Sequence, residues 1–455
     1  MLTRDREFYK TYFSLLLFIA FQNLLSYSVS LLDNVMLSRY STVALSGASL
    51  ANQIQFLLQM IVGSAGEGVV VLASQYWGTR RTEPIKSIAG IGNITALAFG
   101  AVFFAVASVL PRQILGLLSN ETNVIDAANE YLRIIKYTYP VYCLSTVMLA
   151  TMRSVENARV GFIVMLASLV VNLFFNYCLI YGHLGFKEMG VSGAAYATLI
   201  ARVFELIVAA VYTFKVDKKL RITPSQMFSR DNALWKDYYK YATPIMLSGA
   251  SWGIAMFIQT SIIGHMQSGA VAANALAVSL FSVITVFSYG GGSAAGVITG
   301  KLVGKGLDRH ALKEYVNTMQ VLFVLSGIIT GAVIFILKEP VIAFYKLDSE
   351  DAIDYARQFL TVLSITSIGT SYQAPCLTGI VRGGGHTKFV FYNDLIFQWC
   401  IVLLFSLLAA YVWELAPVWV FLMLKSDQIL KCFVAIFEVN SYRWIKKLAR
   451  DTKEA

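Results

Sequence analysis

Residues 12–37 read YFSLLLFIAFQNLLSYSVSLLDNVML, an unbroken apolar run in which Asp33 is the only formal charge. A run of this length crosses a bilayer as a helix, which needs about 20 apolar residues. A carboxylate near the centre of such a helix costs ~2.5–3.5 kcal/mol on insertion scales, so Asp33 needs a partner or a task. Either it sits close enough to the helix end to reach interfacial water, or it is an ion or proton site.

The rest of the 455-residue chain repeats the pattern. Its mean hydropathy is +0.62, with 57% hydrophobic and 14% charged residues. Soluble domains carry about 25% charged residues, so this is a polytopic membrane protein. The polar stretch Met1 to Lys10 leads into a run too long for a secretory signal. Twelve spans are expected, near 12–38, 47–76, 88–110, 127–150, 160–182, 191–214, 241–264, 271–303, 314–337, 356–381, 389–413 and 416–440.

A net charge of +10 suggests nucleic acid in a soluble protein, but here the basic residues lie between spans. On the N-terminal side they include Arg4, Arg6, Lys10, Arg80, Arg81, Arg153, Arg159, Lys215, Lys218, Lys219, Arg230, Lys301, Lys305 and Arg443. The opposite side holds little beyond Arg39, Arg112, Lys187, Lys338 and Lys346. The positive-inside rule then puts both termini in the cytoplasm of a multi-pass protein of the cell (plasma or inner) membrane. Five scattered cysteines show no CxxC or metal spacing and read as small core residues.

The longest cytoplasmic connection, about Lys215 to Lys240, divides the chain into two sets of six spans. The expected layout is a six-helix lobe over 1–220, a loop over 221–240, a second lobe over 241–442 and a basic tail over 443–455. At an offset of 226 residues, Ala44, Leu50, Ala51, Gly66, Val71 and Gly78 fall on Ala270, Leu276, Ala277, Gly292, Val297 and Gly304. Six being even, such a repeat is parallel, with its axis along the membrane normal.

The stretch LLDNVMLSRY…ALSGASLA…SAGEGVVVLASQYWG resembles the first two helices of the multidrug and toxic compound extrusion (MATE) family. It returns in the second half as GASWGIAMFIQTSIIGHM…VAANALA…GGGSAAGVITGKLVGKG. ATMRSVENARVGFIVMLASLVVNLFFNYCLIYG and TGIVRGGGHTKFVFYNDLIFQW also fit, so the resemblance covers nearly the whole chain. It implies an all-α integral membrane fold of twelve helices, in two six-helix lobes flanking a cleft. It also implies export of organic compounds, often cationic and lipophilic, in exchange for inward H⁺ or Na⁺.

Within that resemblance Asp33 matches a carboxylate late in the first helix. Asn172 and Asn176 match fifth-helix positions of an N-lobe cation site, and Thr198 in GAAYAT a sixth-helix threonine. Asn172 and Asn176 are four apart, on one helix face, and their amides could help Asp33 hold Na⁺ or a proton, or simply bond across helices. The chain departs from relatives that have an aspartate where Asn176 stands. It departs again where others have carboxylates in helices seven and ten, at Trp252 and Ser371, so the second lobe's ion site is expected to be missing. No proline interrupts residues 12–37, although Pro244 begins the matching seventh helix.

Two further intramembrane acids stand out. Glu67, in SAGEGVV, is equally a functional group and a hydrogen-bonding one. Asp394, beside Asn393 and near Gln398, is a candidate for the second lobe. Arg202 and Glu205, three apart, read as a neutralised structural pair. Lys425, Asp427 and Lys431 read as a charge-balanced patch. Phe56, Trp252, Phe257, Phe281 and Phe287 lie on helices that border the cleft in the family's architecture, where aromatics suit flat cations.

No HExxH and no phosphate-binding G-x-x-x-x-G-K-[ST] occurs, so the reading is a transporter, not an enzyme, powered by an ion gradient and with no cofactor. Its expected partners are small organic molecules and the bilayer, with no nucleic acid, and the protein is expected to be a monomer. The alternatives are a lipid-linked oligosaccharide flippase, which should carry more cations deep in its spans, and a non-transporting receptor.

Overall fold

The computed structural model describes residues 2–228, 231–345, 347 and 349–450. Arg230, Lys346 and the end of the expected tail lie outside them. Among the described residues the chain is helical and no strand is present. The first half contains α1 (Arg6–Tyr40), α2 (Thr42–Gly78), α3 (Glu83–Val109), α4 (Pro111–Leu118), α5 (Thr122–Ile135), α6 (Thr138–Ser154), α7 (Arg159–Tyr181) and α8 (Gly190–Val211). The second contains α9 (Asn232–Gly264), α10 (Ser268–Ile284), α11 (Val286–Gly304), α12 (Arg309–Tyr345), α13 (Glu350–Ala374), α14 (Thr387–Leu395), α15 (Leu404–Tyr411), α16 (Pro417–Leu424) and α17 (Asp427–Ser441).

Eight continuous helical stretches among the described residues are long and apolar enough to span a bilayer, and a bent pair makes a ninth. That pair, α10 and α11, turns by 41° at Thr285 within what the sequence reads as one span, 271–303. The expected spans 127–150 and 416–440 are also two helices each, α5 with α6 and α16 with α17. The expected span 356–381 runs from α13 into a π-helical turn, Pro375–Val381. A second π-helical stretch, Ile396–Leu403, joins α14 to α15. Hydropathy sums over such breaks and does not register them. Local capping fixes several ends: Ser41 and Ser349 accept from Ala44 N and Ala352 N to start α2 and α13. Gly182, with φ 72°, closes α7 in the left-handed conformation that glycine adopts without strain.

Contacts divide the chain into two compact units, residues 21–249 and residues 1–20 with 250–455. The boundaries cut α1 and α9, whereas the lobes expected from the spans begin at 1 and 241. The first residues are tied to the second half: Thr3 N donates to Thr318 Oγ1 (2.9 Å) and Tyr315 OH to Asp5 Oδ2 (3.1 Å).

Small residues let backbones approach inside each unit, the usual basis of helix packing in lipid. In residues 21–249 a Cβ added at Gly193 would lie 2.5 Å from the Leu179 carbonyl, and one at Gly68 2.5 Å from Ala242 Cβ. Buried Tyr238 donates to the Ala65 carbonyl over 3.0 Å. In the other unit, a Cβ at Gly331 would meet the Ser364 carbonyl at 2.5 Å, and Phe359 stacks on Phe421 with ring centroids 4.1 Å apart. Ile336, Phe344 and Phe437 are exposed, as lipid-facing side chains are. The Gly383–Gly385 turn receives the C-terminal segment: Lys446 N donates to Gly384 O (2.9 Å), and fully buried Trp444 fills the space a Gly384 Cβ would need.

Candidate functional site

The unit of residues 21–249 brings Asp33 of α1 to Asn176 of α7, 143 positions apart. Asn176 Nδ2 donates to Asp33 Oδ1 and, over 3.0 Å, to Asn172 Oδ1. The four-residue spacing stacks the two asparagines on one face, so a single amide bridges the carboxylate to the second asparagine. Both asparagines are buried, and Asp33 is partly exposed.

Two polar atoms of this link, Asn176 Oδ1 and Asn172 Nδ2, are buried without a hydrogen-bond partner, as is Thr198 Oγ1 of α8. Unpaired buried polar atoms cost about 1–3 kcal/mol each, so such a group is expected where a ligand or water completes it. Carboxylate, amide and hydroxyl oxygens are the donors that hard cations select. Turning the Asn176 amide would present its Oδ1 to an ion beside Asp33, so the residues fit Na⁺ as they fit a proton. No group of three His, Cys, Asp or Glu side chains suited to a metal occurs among the described residues, which leaves one carboxylate at this site.

Sequence reasoning passed over Tyr131 of α5. It is 3% exposed and lies beside Asp33, Asn52 and Thr198 without closing a bond to Thr198 Oγ1. Nothing in TNVIDAANEYLRII marks it, because its relation to Asp33 exists only in the fold.

Arg202 is a cation whose field reaches Asp33. It is committed elsewhere: Arg202 Nη1 donates to Glu205 Oε2 (2.7 Å), and Glu205 Oε1 accepts from Ser145 Oγ (2.8 Å). Glu205 is 2% exposed, and the Arg202 guanidinium lies 5.3 Å from the Tyr142 ring centroid. This is the neutralised pair that the three-residue spacing suggests.

The other acids are held in ion pairs. Glu67 Oε1 accepts from Arg153 Nη2 (2.7 Å), linking α2 to the last turn of α6. Asp394 pairs with Lys431 (3.1 Å), and Arg382 Nη2 lies 4.0 Å from its other oxygen. At the two second-half positions named above as departures, Ser371 shares a 2.6 Å hydrogen bond with Ser288, both buried, and Trp252 is exposed. Of the five aromatics, Phe56 belongs to the unit of residues 21–249; Trp252, Phe257, Phe281 and Phe287 belong to the other. Phe281 lies under the Lys425 ammonium at 5.6 Å.

The profile of the MatE family matches residues 19–178 and again residues 244–398. The chain belongs to the MatE family. The double match displays the duplication, at an offset of 225 residues between its starts. Family membership makes this MATE chain a multi-pass membrane transporter rather than an enzyme.

Among curated relatives, a probable multidrug resistance protein NorM of Thermotoga maritima is 25% identical over 373 residues, spanning 80% of this chain and 78% of its own. The transporter YisQ of Bacillus subtilis is 24% identical over 427 residues, 91% and 90% of the two chains. Among solved structures, MATE in complex with MaL6 has a TM-score of 0.85 at 19% identity, covering 95% of each chain. A MOP superfamily transporter from Pyrococcus furiosus has a TM-score of 0.85 at 18% identity, covering 99% and 100%. These structures share the fold, the twelve-helix two-lobe MATE architecture.

Proposed function

We propose that this MATE protein is a secondary active multidrug efflux antiporter. It exchanges an organic substrate, often cationic and lipophilic, for inward H⁺ or Na⁺ by alternating access. The relatives named as probable multidrug resistance proteins support the substrate class. The observation that carries the coupling is the bridge from Asp33 through Asn176 to Asn172, with unsatisfied buried polar atoms around it.

A bare carboxylate within a span is costly, and an ion or proton on Asp33 removes that cost. Occupancy therefore stabilises one orientation of the transporter over the other, by no more than the difference in ion affinity between the two. Asn176 holds Asp33 Oδ1 in place, and Thr198 supplies a hydroxyl to the same group. A substrate that binds the ion-free form is released when the ion returns, which couples the two fluxes. The aromatic residues Phe56, Trp252, Phe257, Phe281 and Phe287 are assigned to the substrate path. Both termini face the cytoplasm of the cell membrane, and the unit of function is the monomer.

The test is dye flux in proteoliposomes with Na⁺ and H⁺ gradients imposed separately. The proposal expects one gradient to drive uphill dye movement. Equal flux with and without either gradient would point to a facilitator or a flippase.

A further inference from the structure

A groove of about 380 Å³ runs between α5 and α8 in the unit of residues 21–249, on faces of these helices that carry neither Tyr131 nor Thr198. Glu130 and Arg133 of α5, with Tyr137 at the junction with α6, line one wall; Ser192, Tyr196 and Leu199 of α8 line the other. Within each wall these residues recur three or four positions apart, which keeps them on a single helix face. Ser192 Oγ donates to Glu130 Oε1 over 2.6 Å and ties the walls together. Glu130 and Arg133 are exposed, and Arg133 pairs with no carboxylate among the described residues. Lys136, where α5 ends, holds its ammonium 5.5 Å from the Phe104 ring centroid and 5.6 Å from that of Tyr137.

Tyr196 continues into Val203, Ile207 and Val211, a stripe along α8 whose members are 40%, 39%, 54% and 47% exposed. An exposed apolar stripe is the surface that a membrane helix turns to lipid, so the groove opens towards the bilayer. Its depth follows from the helix ends. Glu130 is close to Tyr40, the last residue of α1. Arg133 lies about 9 Å inside the expected span start at 127, at 1.5 Å per residue, and a side chain of its length reaches back to the headgroups. Charges within spans nearly always face the bundle interior or a water-filled cavity. A carboxylate and a guanidinium on a lipid-facing surface need a polar partner there, and the bilayer supplies one.

We propose that this groove binds the headgroup of an aminophospholipid, of the phosphatidylethanolamine class, in the leaflet opposite the N-terminus. The planar fork of Arg133 receives the phosphate, and Lys136 adds positive charge from the α5–α6 junction. The lipid ammonium donates to Glu130, whose carboxylate keeps free lone pairs beside the Ser192 bond. Tyr137 and Tyr196 flank the groove as interfacial aromatics, and their ring faces attract the same cation. A zwitterion fits this set better than its rivals. An anionic lipid without an ammonium leaves Glu130 unmatched, and a choline headgroup offers it no N–H. The site does not involve Asp33.

The test is lipid titration of the delipidated, detergent-solubilised full-length protein, with bound lipid counted by native mass spectrometry. The probes are phosphatidylethanolamine, phosphatidylcholine and phosphatidylglycerol with the same acyl chains. The first phosphatidylethanolamine should bind about tenfold tighter than either rival, the worth of one hydrogen bond to a charged group. Glu130→Gln should erase the preference over phosphatidylcholine, whereas Arg133→Gln should weaken all three lipids and Arg133→Lys recover part of the loss. Both residues are exposed, so their replacement leaves folding intact. Arg112→Gln, in an exposed pair with Asp126 outside the groove, should change nothing. Equal binding of the three lipids, tighter binding of phosphatidylglycerol, or a preference that survives Glu130→Gln or Arg133→Gln unchanged overturns the proposal.

Discussion

Asn176 Nδ2 lies 3.0 Å from Asn172 Oδ1 while it also donates to Asp33. One side chain thus ties the carboxylate of α1 to the polar face of α7. Losing a hydrogen bond to a charged group costs about 1.5–3 kcal/mol, and 1.4 kcal/mol is a factor of ten in affinity. That bond favours the ion-free carboxylate, so Asn176→Ala should tighten proton binding at Asp33 by about ten- to a hundredfold. The check is the proton concentration giving half-maximal dye exchange, which should fall; a rise would show that the Asn176 oxygen is itself a ligand of the ion.

Glu205 is the second case where one partner keeps another quiet. Removing its charge leaves Arg202 buried and uncompensated, which costs about 3–5 kcal/mol for a buried pair. Glu205→Gln should lower the thermal midpoint of the detergent-solubilised protein sharply, and Glu205→Gln with Arg202→Met should recover most of it. A single variant as stable as wild type would show that the pair is not buried in the membrane-embedded protein.

Glu67 and Arg153 are each partly exposed, at 34% and 19%, and Arg153 lies in the last turn of α6, where water reaches the end of a span. The loss on Arg153→Met is expected to be about 1 kcal/mol or less, as for solvent-accessible pairs. Ion-driven transport by Glu67→Gln should stay within about threefold of wild type, a change under 1 kcal/mol. A larger loss, measured as dye flux per inserted protein, would return Glu67 to the coupling machinery.

The Gly383–Gly385 turn makes a prediction at the other end of the chain. A Cβ at Gly384 collides with the buried Trp444 ring, and overpacking typically costs about 1–3 kcal/mol. Gly384→Ala should release the segment after Ser441, seen as faster cleavage of the C-terminus by protease added to inside-out vesicles. Cleavage at the wild-type rate would contradict the docking.

Much of this was legible in the residues, for identifiable reasons. Apolar runs are a one-dimensional property, so the positions of the twelve spans follow from them directly. The breaks do not: Thr285 lies in a run as apolar as its neighbours, and the 41° turn there depends on packing. Resemblance paired Asp33 with Asn172 and Asn176, whereas Tyr131 and Arg153 lie far along the chain from the acids they meet. Asp394 was visible as a costly charge, but Lys431, 37 residues on, looked like part of a separate patch. The contact boundaries at 20/21 and 249/250 run through continuous helices, α1 and α9, and leave no mark in composition.

The central claim is that Asp33 couples ion entry to substrate export. Asp33→Asn keeps the shape of the side chain and one accepting oxygen but removes its charge and its proton. The direct measurement is the initial rate of dye movement in proteoliposomes containing matched amounts of wild-type and Asp33→Asn protein, under the gradient that drives the wild type. The account predicts that the variant binds dye, equilibrates it slowly and shows no acceleration by the gradient. Uphill transport by Asp33→Asn at the wild-type rate would contradict it.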